Sequence, residues 1–185
     1  MNYRIISYVL GWVITIVAAC MLLPLLCAVV LNEAIFWTFA VCIAIGLVIG
    51  IPLVVTGPKE KTMFAKEGFV TVALSWIVIS ILGALPFVFS GSIPNFIDAL
   101  FETASGFTTT GASILSDVEA LPKSLLFWRS FTHWIGGMGV IVFLVALLPL
   151  SGGNNLHLIK AESPGHSVGK LVPRVKSTAK ILYGI

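Results

Sequence analysis

Four consecutive residues, Thr108-Thr109-Thr110-Gly111, are the part of this sequence best suited to bind an ion. A dehydrated cation needs oxygen ligands, and potassium filters supply them as rings of backbone carbonyls that replace the hydration shell. Gly111 can adopt the dihedral angles that turn successive carbonyls to one side, and threonine hydroxyls can add further oxygens. These residues could form a potassium site, in which the backbone carbonyls of Thr109 and Thr110 bind the metal ion.

On their own, the same residues also suit a simple Thr-Gly turn in an exposed loop, so the flanking elements matter. Residues 97–107 are too short to span a membrane but have helix features, because Asn95 can cap the start and Asp98 lies in the first turn. The C-terminal end of a helix carries partial negative charge, which favours a cation. A short helix followed directly by residues 108–111 therefore supports an ion site.

The composition of the chain places this arrangement in a membrane. Hydrophobic residues make up 58% of the chain and charged residues 10%, whereas soluble domains are about one-quarter charged. Apolar stretches of about 20 residues, the length that a helix needs to cross a bilayer, separate the charges. We predict four transmembrane helices, at about Ile5–Leu31, Ala34–Val55, Gly68–Phe89 and Ser124–Leu150. The predicted fold class is an all-α membrane protein with four transmembrane helices, one re-entrant pore helix and a filter loop.

Basic residues lie in alternate loops, and this pattern predicts the orientation of the chain. Arg4 precedes the first helix, residues 59–66 contain three lysines, and residues 160–180 contain five lysines and arginines. Basic loops stay on the cytoplasmic side, so both termini are expected in the cytoplasm. Residues 90–123 then lie outside, where the short helix and its polar turn have the form of a re-entrant hairpin. Non-helical backbone is tolerated at membrane depth only when it is buried in protein or lines a water-filled path.

Two ionisable residues near the predicted filter are candidates for supporting it. The carboxylate of Glu102 could hold the filter by hydrogen bonds or attract cations, or it could simply lie on the polar side of its helix. Arg129 lies about two turns into the fourth predicted helix. Its side chain could reach the outer interface or form a structural pair with an acid of the hairpin, which we favour over contact with the ion. Gly136, Gly137 and Gly139 could let another helix approach closely or could weaken their own helix enough to bend, and we favour close approach.

Two longer strings resemble a known family. Residues 101–113, FETASGFTTTGAS, resemble the first pore loop of the Trk/Ktr/HKT superfamily of potassium and sodium transporters, and residues 128–140, WRSFTHWIGGMGV, resemble the helix after that loop. Because two extra helices precede the pore unit, the chain is most similar to the N-terminal part of the bacterial TrkH branch. The resemblance implies four unequal helix–pore loop–helix units around a central path. One unit is visible here, so the chain would supply the first of four.

The hydropathy pattern and the resemblance together divide the chain into four regions. They are residues 1–57, two N-terminal transmembrane helices; 58–67, a cytoplasmic loop; 68–150, the first helix–pore loop–helix unit, with the pore helix at about 97–107 and the filter at 108–111; and 151–185, a cytoplasmic loop and the start of the next unit. We therefore expect the chain to be the first part of a longer protein.

The implied function is potassium uptake across the bacterial inner membrane, with K+ as the transported ion and no organic cofactor. The expected partners are membrane lipid, a second copy of the complete protein in a homodimer and, by resemblance, a cytoplasmic nucleotide-binding regulatory subunit. No nucleic acid is expected, because cytoplasmic loops explain the mild net charge of +3. Channel-like entry and ion-coupled symport both stay open.

Two other classes of function are weighed against transport. The first is a non-conducting membrane scaffold or assembly fragment, since one pore loop supplies a quarter of a carbonyl ring. The second is an enzyme, which we do not expect. The sequence shows no nucleophile–base–orienter set, no phosphate-binding Gly-Lys motif and no paired carboxylates in the predicted spans.

Overall fold

The computed structural model describes residues 3–58 and 65–137 of the 185-residue chain. Within these ranges the chain forms six α-helices and no β-strand: α1 (Tyr3–Cys20), α2 (Leu22–Val30), α3 (Phe36–Val55), α4 (Ala65–Phe89), α5 (Phe96–Phe107) and α6 (Lys123–Gly137). The prediction of a mostly helical chain is confirmed for this part. Three segments are long and apolar enough to cross a membrane: α1 with α2, α3, and most of α4.

The first predicted transmembrane helix is divided in two at Met21. Pro24 has no backbone N–H, and its ring crowds the carbonyl four residues earlier, so it interrupts the helical ladder here. The two parts stay nearly continuous, because the N–H of Met21 donates to Val17 and that of Leu25 donates to Met21, both at 3.1 Å. Tyr3–Val30 is therefore one candidate membrane span with a break, rather than one uninterrupted helix.

α1 packs against α3 and α4 in the N-terminal part of the structure. Small residues let α1 and α3 approach closely, since a Cβ atom added at Gly46 would lie 2.7 Å from the Cβ of Ala18. The opposite surface of α3 is apolar and exposed, with Trp37 at 67%, Val48 at 72% and Val55 at 77% exposure. A continuous apolar surface of this kind is suited to lipid tails rather than to water.

A tight turn joins α4 to α5 and sets the direction in which α5 leaves the span. Gly91 lies in this turn with φ of 74°, in the left-handed region that favours glycine. Asn95 then caps α5, because its Oδ1 accepts a hydrogen bond from the N–H of Ile97 at 3.0 Å. Asp98 lies in the first turn of the helix. The predicted cap and the predicted first-turn acid are therefore confirmed.

Parts of the predicted organisation lie outside the described residues. α6 covers Lys123–Gly137, and the remainder of the predicted fourth transmembrane helix, residues 138–150, falls beyond it. Residues 59–64 of the predicted cytoplasmic loop and all of residues 151–185 also lie outside the described ranges. The arrangement of four transmembrane helices with one re-entrant helix therefore stays a prediction.

Candidate functional site

The predicted ion-binding segment begins where α5 ends. The backbone N–H of Thr109 donates to the carbonyl of Gly106 at 3.0 Å, and the N–H of Thr110 donates to that of Ser105 at 2.9 Å. These two bonds form a Schellman motif, which satisfies the last carbonyls of a helix and places one residue, usually glycine, in the left-handed region. Thr109 occupies that position here, with φ of 56°. The chain therefore turns sharply within the segment.

The backbone of the segment is strained. β-Branched residues are poorly tolerated in the left-handed region, and Thr109 is one of two non-glycine residues with positive φ in the described part of the chain. Gly111 also has positive φ, at 78°. Strained backbone persists only where surrounding contacts over-determine it, and it is frequent at functional sites. Contacts around the segment must therefore hold it in this conformation.

Hydrogen bonds hold the segment at both of its ends. The hydroxyl of Thr108 donates to the carbonyl of Ala104 at 2.7 Å, and its oxygen lies 2.8 Å from the hydroxyl oxygen of Thr110. Beyond the segment, the hydroxyl of Ser105 donates to the carbonyl of Ala112 at 2.6 Å. Ser105 therefore ties the returning chain back to α5, which closes the segment into a short loop.

The carboxylate of Glu102 is the centre of a buried polar cluster beside this loop. Its side chain is 1% exposed, and its Oε1 lies 2.5 Å from Nε of Arg129. The hydroxyl of Ser113 lies 3.0 Å from each carboxylate oxygen, and the N–H of Ile114 donates to Oε2 at 3.1 Å. Glu102 and Arg129 thus form an ion pair, one of the arrangements that the sequence leaves open. The pair joins α5, α6 and the returning chain, and its support of an ion site stays a prediction.

Glycines bring α4 and α6 into close contact with the end of α5. A Cβ atom added at Gly136 of α6 would lie 1.9 Å from the carbonyl oxygen of Phe107. One added at Gly106 would lie 2.2 Å from Oγ1 of Thr132, and one at Gly83 of α4 would lie 2.8 Å from the ring of Phe107. No side chain fits at these distances without a shift of its neighbours. The predicted close packing at Gly136 is confirmed, and α4 and α6 together set the position of the loop.

Two further bonds fix α4 in this assembly. The indole N–H of Trp128 on α6 donates to the carbonyl of Gly83 at 3.0 Å, and Trp128 is fully buried. The hydroxyl of Thr103 on α5 donates to the carbonyl of Ser80 at 3.0 Å. Both side chains reach carbonyls whose own helix is tightly packed beside α5. Direct hydrogen bonds therefore join α4 to both α5 and α6 beside the loop.

The backbone of the loop itself is available to a ligand. Residues 108–111 are all exposed. Within the described part of the chain, their four carbonyl oxygens accept no hydrogen bond. An unpaired carbonyl needs water or another partner, and a cation is one such partner. The loop therefore presents oxygen atoms at the C-terminal end of a helix, where a positive charge is favoured.

Some residues of this arrangement are not predicted by the sequence. Ser105 and Ser113 are small polar residues with no motif of their own, yet they make the bonds that close the loop. Glu33, far away in sequence, binds the first residues of α6. The weak signal available was the position of Ser105 and Ser113 on either side of a glycine-containing turn.

Comparison with known proteins places this arrangement in a family. The family model TrkH, described as a cation transport protein, matches residues 31–185, which include the loop and α6. The chain belongs to the TrkH family.

Individual members of the TrkH family cover nearly the whole chain. The Trk system potassium uptake protein TrkH of Escherichia coli K12 is 40% identical over 191 residues, which are 99% of this chain and 38% of that protein. The protein of the same name from Halomonas elongata is 34% identical, over 100% of this chain and 39% of its own length. These relatives are transporters and not enzymes.

A solved structure of the TrkH family has the same fold. The crystal structure of the potassium transporter TrkH from Vibrio parahaemolyticus matches with a TM-score of 0.74 and 32% sequence identity. The match covers 100% of this chain and 36% of that chain. The chain thus spans 38% to 39% of the length of the curated TrkH relatives described above.

Proposed function

We propose that this chain supplies one wall of a potassium-conducting pore, in which the backbone carbonyls of Thr108 to Gly111 replace water around the ion. One observation carries the proposal: the carbonyls of these exposed residues, unpaired within the described part of the chain, lie directly at the C-terminal end of α5. We assign the ion contacts to the carbonyls of Thr109 and Thr110. K+ is the transported ion here, not a resident cofactor.

The electrostatics of α5 support a cation at this position. α5 has 12 residues, and its aligned peptide dipoles place about half a negative charge at the C-terminal end. The carboxylate of Glu102 does not need the ion, because Arg129, Ser113 and Ile114 already satisfy it. The carboxylate therefore shapes the loop, while backbone oxygens and the helix end meet the ion. A site of this kind favours a weakly hydrated cation over a strongly hydrated one.

The names and lengths of the relatives support the wider proposal. TrkH relatives are called potassium uptake proteins, and this chain spans 38% of one of them. We propose that residues 68–150 form the first of four helix–pore loop–helix units, and that a complete filter takes one loop from each unit. α5 would then be a re-entrant helix, and residues 151–185 would lead into the second unit.

The charge pattern supports an orientation for this unit. Lysine and arginine residues lie in the first turn of α1, between α3 and α4, and beyond α6. We propose that these regions lie in the cytoplasm, at a bacterial inner membrane, with both ends of the chain on that side. The α5 loop then opens to the outside, where potassium is taken up.

The partners of the complete protein are also proposals. The exposed apolar surface of α3 supports contact with lipid. A homodimer of the complete protein and a cytoplasmic nucleotide-binding regulatory subunit are carried over from the resemblance to the superfamily. We assign neither the second copy nor the regulatory subunit to the filter loop.

The proposal is tested in cells that lack their own potassium uptake systems. The complete protein that carries this chain should restore growth in low-potassium medium and should concentrate potassium in preference to sodium. A protein that reaches the membrane but restores neither growth nor uptake would contradict the proposal. That result would favour the alternative, a non-conducting membrane scaffold or assembly fragment.

A further inference from the structure

Glu33, in the turn between α2 and α3, contacts the first residues of α6. Its Oε1 accepts a hydrogen bond from the backbone N–H of Lys123 at 2.7 Å, and its Oε2 accepts one from that of Ser124 at 3.2 Å. The hydroxyl of Ser124, a fully buried residue, also donates to Oε2. One carboxylate thus binds three donors of a helix that begins 90 residues further along the chain.

The start of α6 depends on this contact because, within the described residues, neither α6 nor the residue before it supplies a side-chain cap. The first N–H groups of a helix have no partner within it, and a preceding Ser, Thr, Asp or Asn normally supplies one. The residue before α6 is Pro122, whose carbonyl accepts a hydrogen bond from Leu126 but whose side chain has no acceptor. A carboxylate is also favoured at a helix N-terminus by the helix dipole. Glu33 therefore does from a distance what a local cap does elsewhere.

The turn that presents Glu33 is itself fixed. The N–H of Glu33 donates to the carbonyl of Ala28 at 2.9 Å, and that of Asn32 donates to Val29 at 3.2 Å, with Asn32 at φ of 53°. These bonds end α2 in the same kind of motif that ends α5. The backbone of Glu33 therefore ends one helix while its side chain begins another. The position of α6 relative to the N-terminal helices is therefore fixed through Glu33.

α6 in turn carries contacts that hold the candidate filter loop. Arg129, which pairs with Glu102, lies about 9 Å along the helix from Lys123, at 1.5 Å per residue. Gly136 lies against the carbonyl of Phe107, at the end of α5. A shift or rotation of α6 would move both contacts at once. The packing there is too tight to absorb such a shift without moving the loop.

We propose that Glu33 is a positioning residue for ion selection. By joining the α2–α3 turn to the first turn of α6, it fixes the depth and rotation of α6 and so holds the filter loop at the spacing that its ion needs. The N-terminal helices, which carry no filter segment within the described residues, thereby contribute to selectivity. This inference rests on the proposed potassium function of the loop, and it goes beyond it by assigning a role to a residue outside the pore unit.

The first test replaces Glu33 in the complete protein. Glu33→Gln keeps the size of the side chain but removes its charge and one acceptor oxygen. We expect about a tenfold fall in the ratio of potassium to sodium uptake, because the filter loop loses the fixed position of α6. Glu119→Gln removes an exposed carboxylate from the loop before α6 and is the matched control. The control should leave the ratio unchanged, and an unchanged ratio in Glu33→Gln would overturn the proposal.

Hydrogen exchange gives a readout that does not depend on conduction. In Glu33→Gln we expect faster exchange in the first turn of α6, at residues 123–126, and also at residues 113–115. Glu102 binds Ser113 and Ile114, and the hydroxyl of Ser113 accepts a hydrogen bond from the N–H of Leu115. Faster exchange confined to residues 123–126 would mean that Glu33 is only a local cap, and it would overturn the proposal. If the complete wild-type protein conducts no potassium, that result contradicts the proposed function and not the role of Glu33. The exchange pattern then still decides whether Glu33 positions the loop.

A second variant separates the link between helices from simple capping. Glu33→Gln combined with Pro122→Asp gives α6 a cap of its own without restoring the link to the α2–α3 turn. We expect thermal stability to recover while the uptake ratio stays low and exchange at residues 113–115 stays fast. Recovery of both selectivity and protection would overturn the proposal. If Glu33→Gln does not fold alone, the double variant compared with Pro122→Asp decides the same question.

Discussion

The carbonyl oxygen of Phe107 lies 1.9 Å from the position that a Cβ atom would occupy on Gly136. Two helices therefore meet backbone against backbone at the last residue before the candidate filter. α5 cannot slide or rotate here without pushing α6, and a side chain on α6 at this point would have to displace the backbone of α5. The start of the loop is thus fixed by direct contact rather than by the loop's own conformation.

Replacing Gly136 by alanine should disturb this contact. The substitution would normally favour a helix by about 1 kcal/mol, because alanine has the higher helix propensity. Here the new methyl group overlaps the carbonyl of Phe107, and we expect a net loss of about 1–3 kcal/mol, as for overpacked cores. The unfolding temperature of the purified protein in detergent measures this loss, and potassium uptake should fall with it.

The neighbouring glycine provides the control. A Cβ atom added at Gly137 would lie 3.7 Å from Cγ2 of Thr109, an ordinary van der Waals contact. Gly137→Ala should therefore keep or raise the unfolding temperature. An unfolding temperature for Gly136→Ala as high as that for Gly137→Ala, with no loss in either variant, would mean that the close approach of α5 and α6 does not exist in the protein.

Removing one partner of the Glu102–Arg129 ion pair should destabilise the protein, because the other side chain is then left buried without its counter-charge. Arg129→Gln leaves a buried carboxylate without its cation, and breaking a buried pair in this way costs about 3–5 kcal/mol. Glu102→Gln removes that charge but loses an acceptor for Ser113 and Ile114. We expect each single variant to lower both the unfolding temperature and the ratio of potassium to sodium uptake.

A double-mutant cycle measures the coupling between the two residues. The variant with both residues changed to glutamine should be more stable than the sum of the single losses predicts, because no charge is left unpaired. Additive losses would show that the two side chains do not interact, and the ion pair would have to be rejected.

The strain at Thr109 predicts an opposition between stability and selectivity. Thr109→Gly removes the side chain from a left-handed position and should stabilise the protein by up to about 1 kcal/mol. The more flexible backbone should at the same time lower the ratio of potassium to sodium uptake. Thr110→Gly is the stability control, because Thr110 has no positive φ and glycine there should only destabilise. If Thr109→Gly lost as much stability as Thr110→Gly, the backbone of Thr109 would not be strained in the protein.

The local features of the site could be predicted from the sequence. Asn95 and Asp98 mark the start of a short helix, because caps and first-turn acids act within a few residues. Gly111 marks the need for positive φ in the loop. The tight packing of α6 is indicated by its paired glycines. In each case the signal and its physical cause lie within one or two turns of chain.

The long-range features could not be predicted in the same way. The bond between Glu33 and Ser124 joins residues that no local pattern relates, and it depends on how α2 packs against α6. The sequence leaves several roles open for Glu102, because burial and partners decide among them and neither is encoded nearby. Hydropathy alone does not predict the break at Met21, because a window of about 20 residues averages over the effect of Pro24.

The most direct test of the filter compares two glycines with the same backbone requirement. Gly111 and Gly91 have φ of 78° and 74°, and among the described residues a Cβ atom at either position would meet no atom within 4 Å. Replacing either glycine by alanine should therefore lower the free energy of unfolding by a similar amount, roughly 1–2 kcal/mol, through backbone strain alone. The measurement is the ratio of potassium to sodium uptake by the complete protein. We predict that Gly111→Ala abolishes the preference for potassium while Gly91→Ala keeps it at a matched unfolding temperature. A preference retained in Gly111→Ala would contradict the assignment of residues 108–111 as the filter.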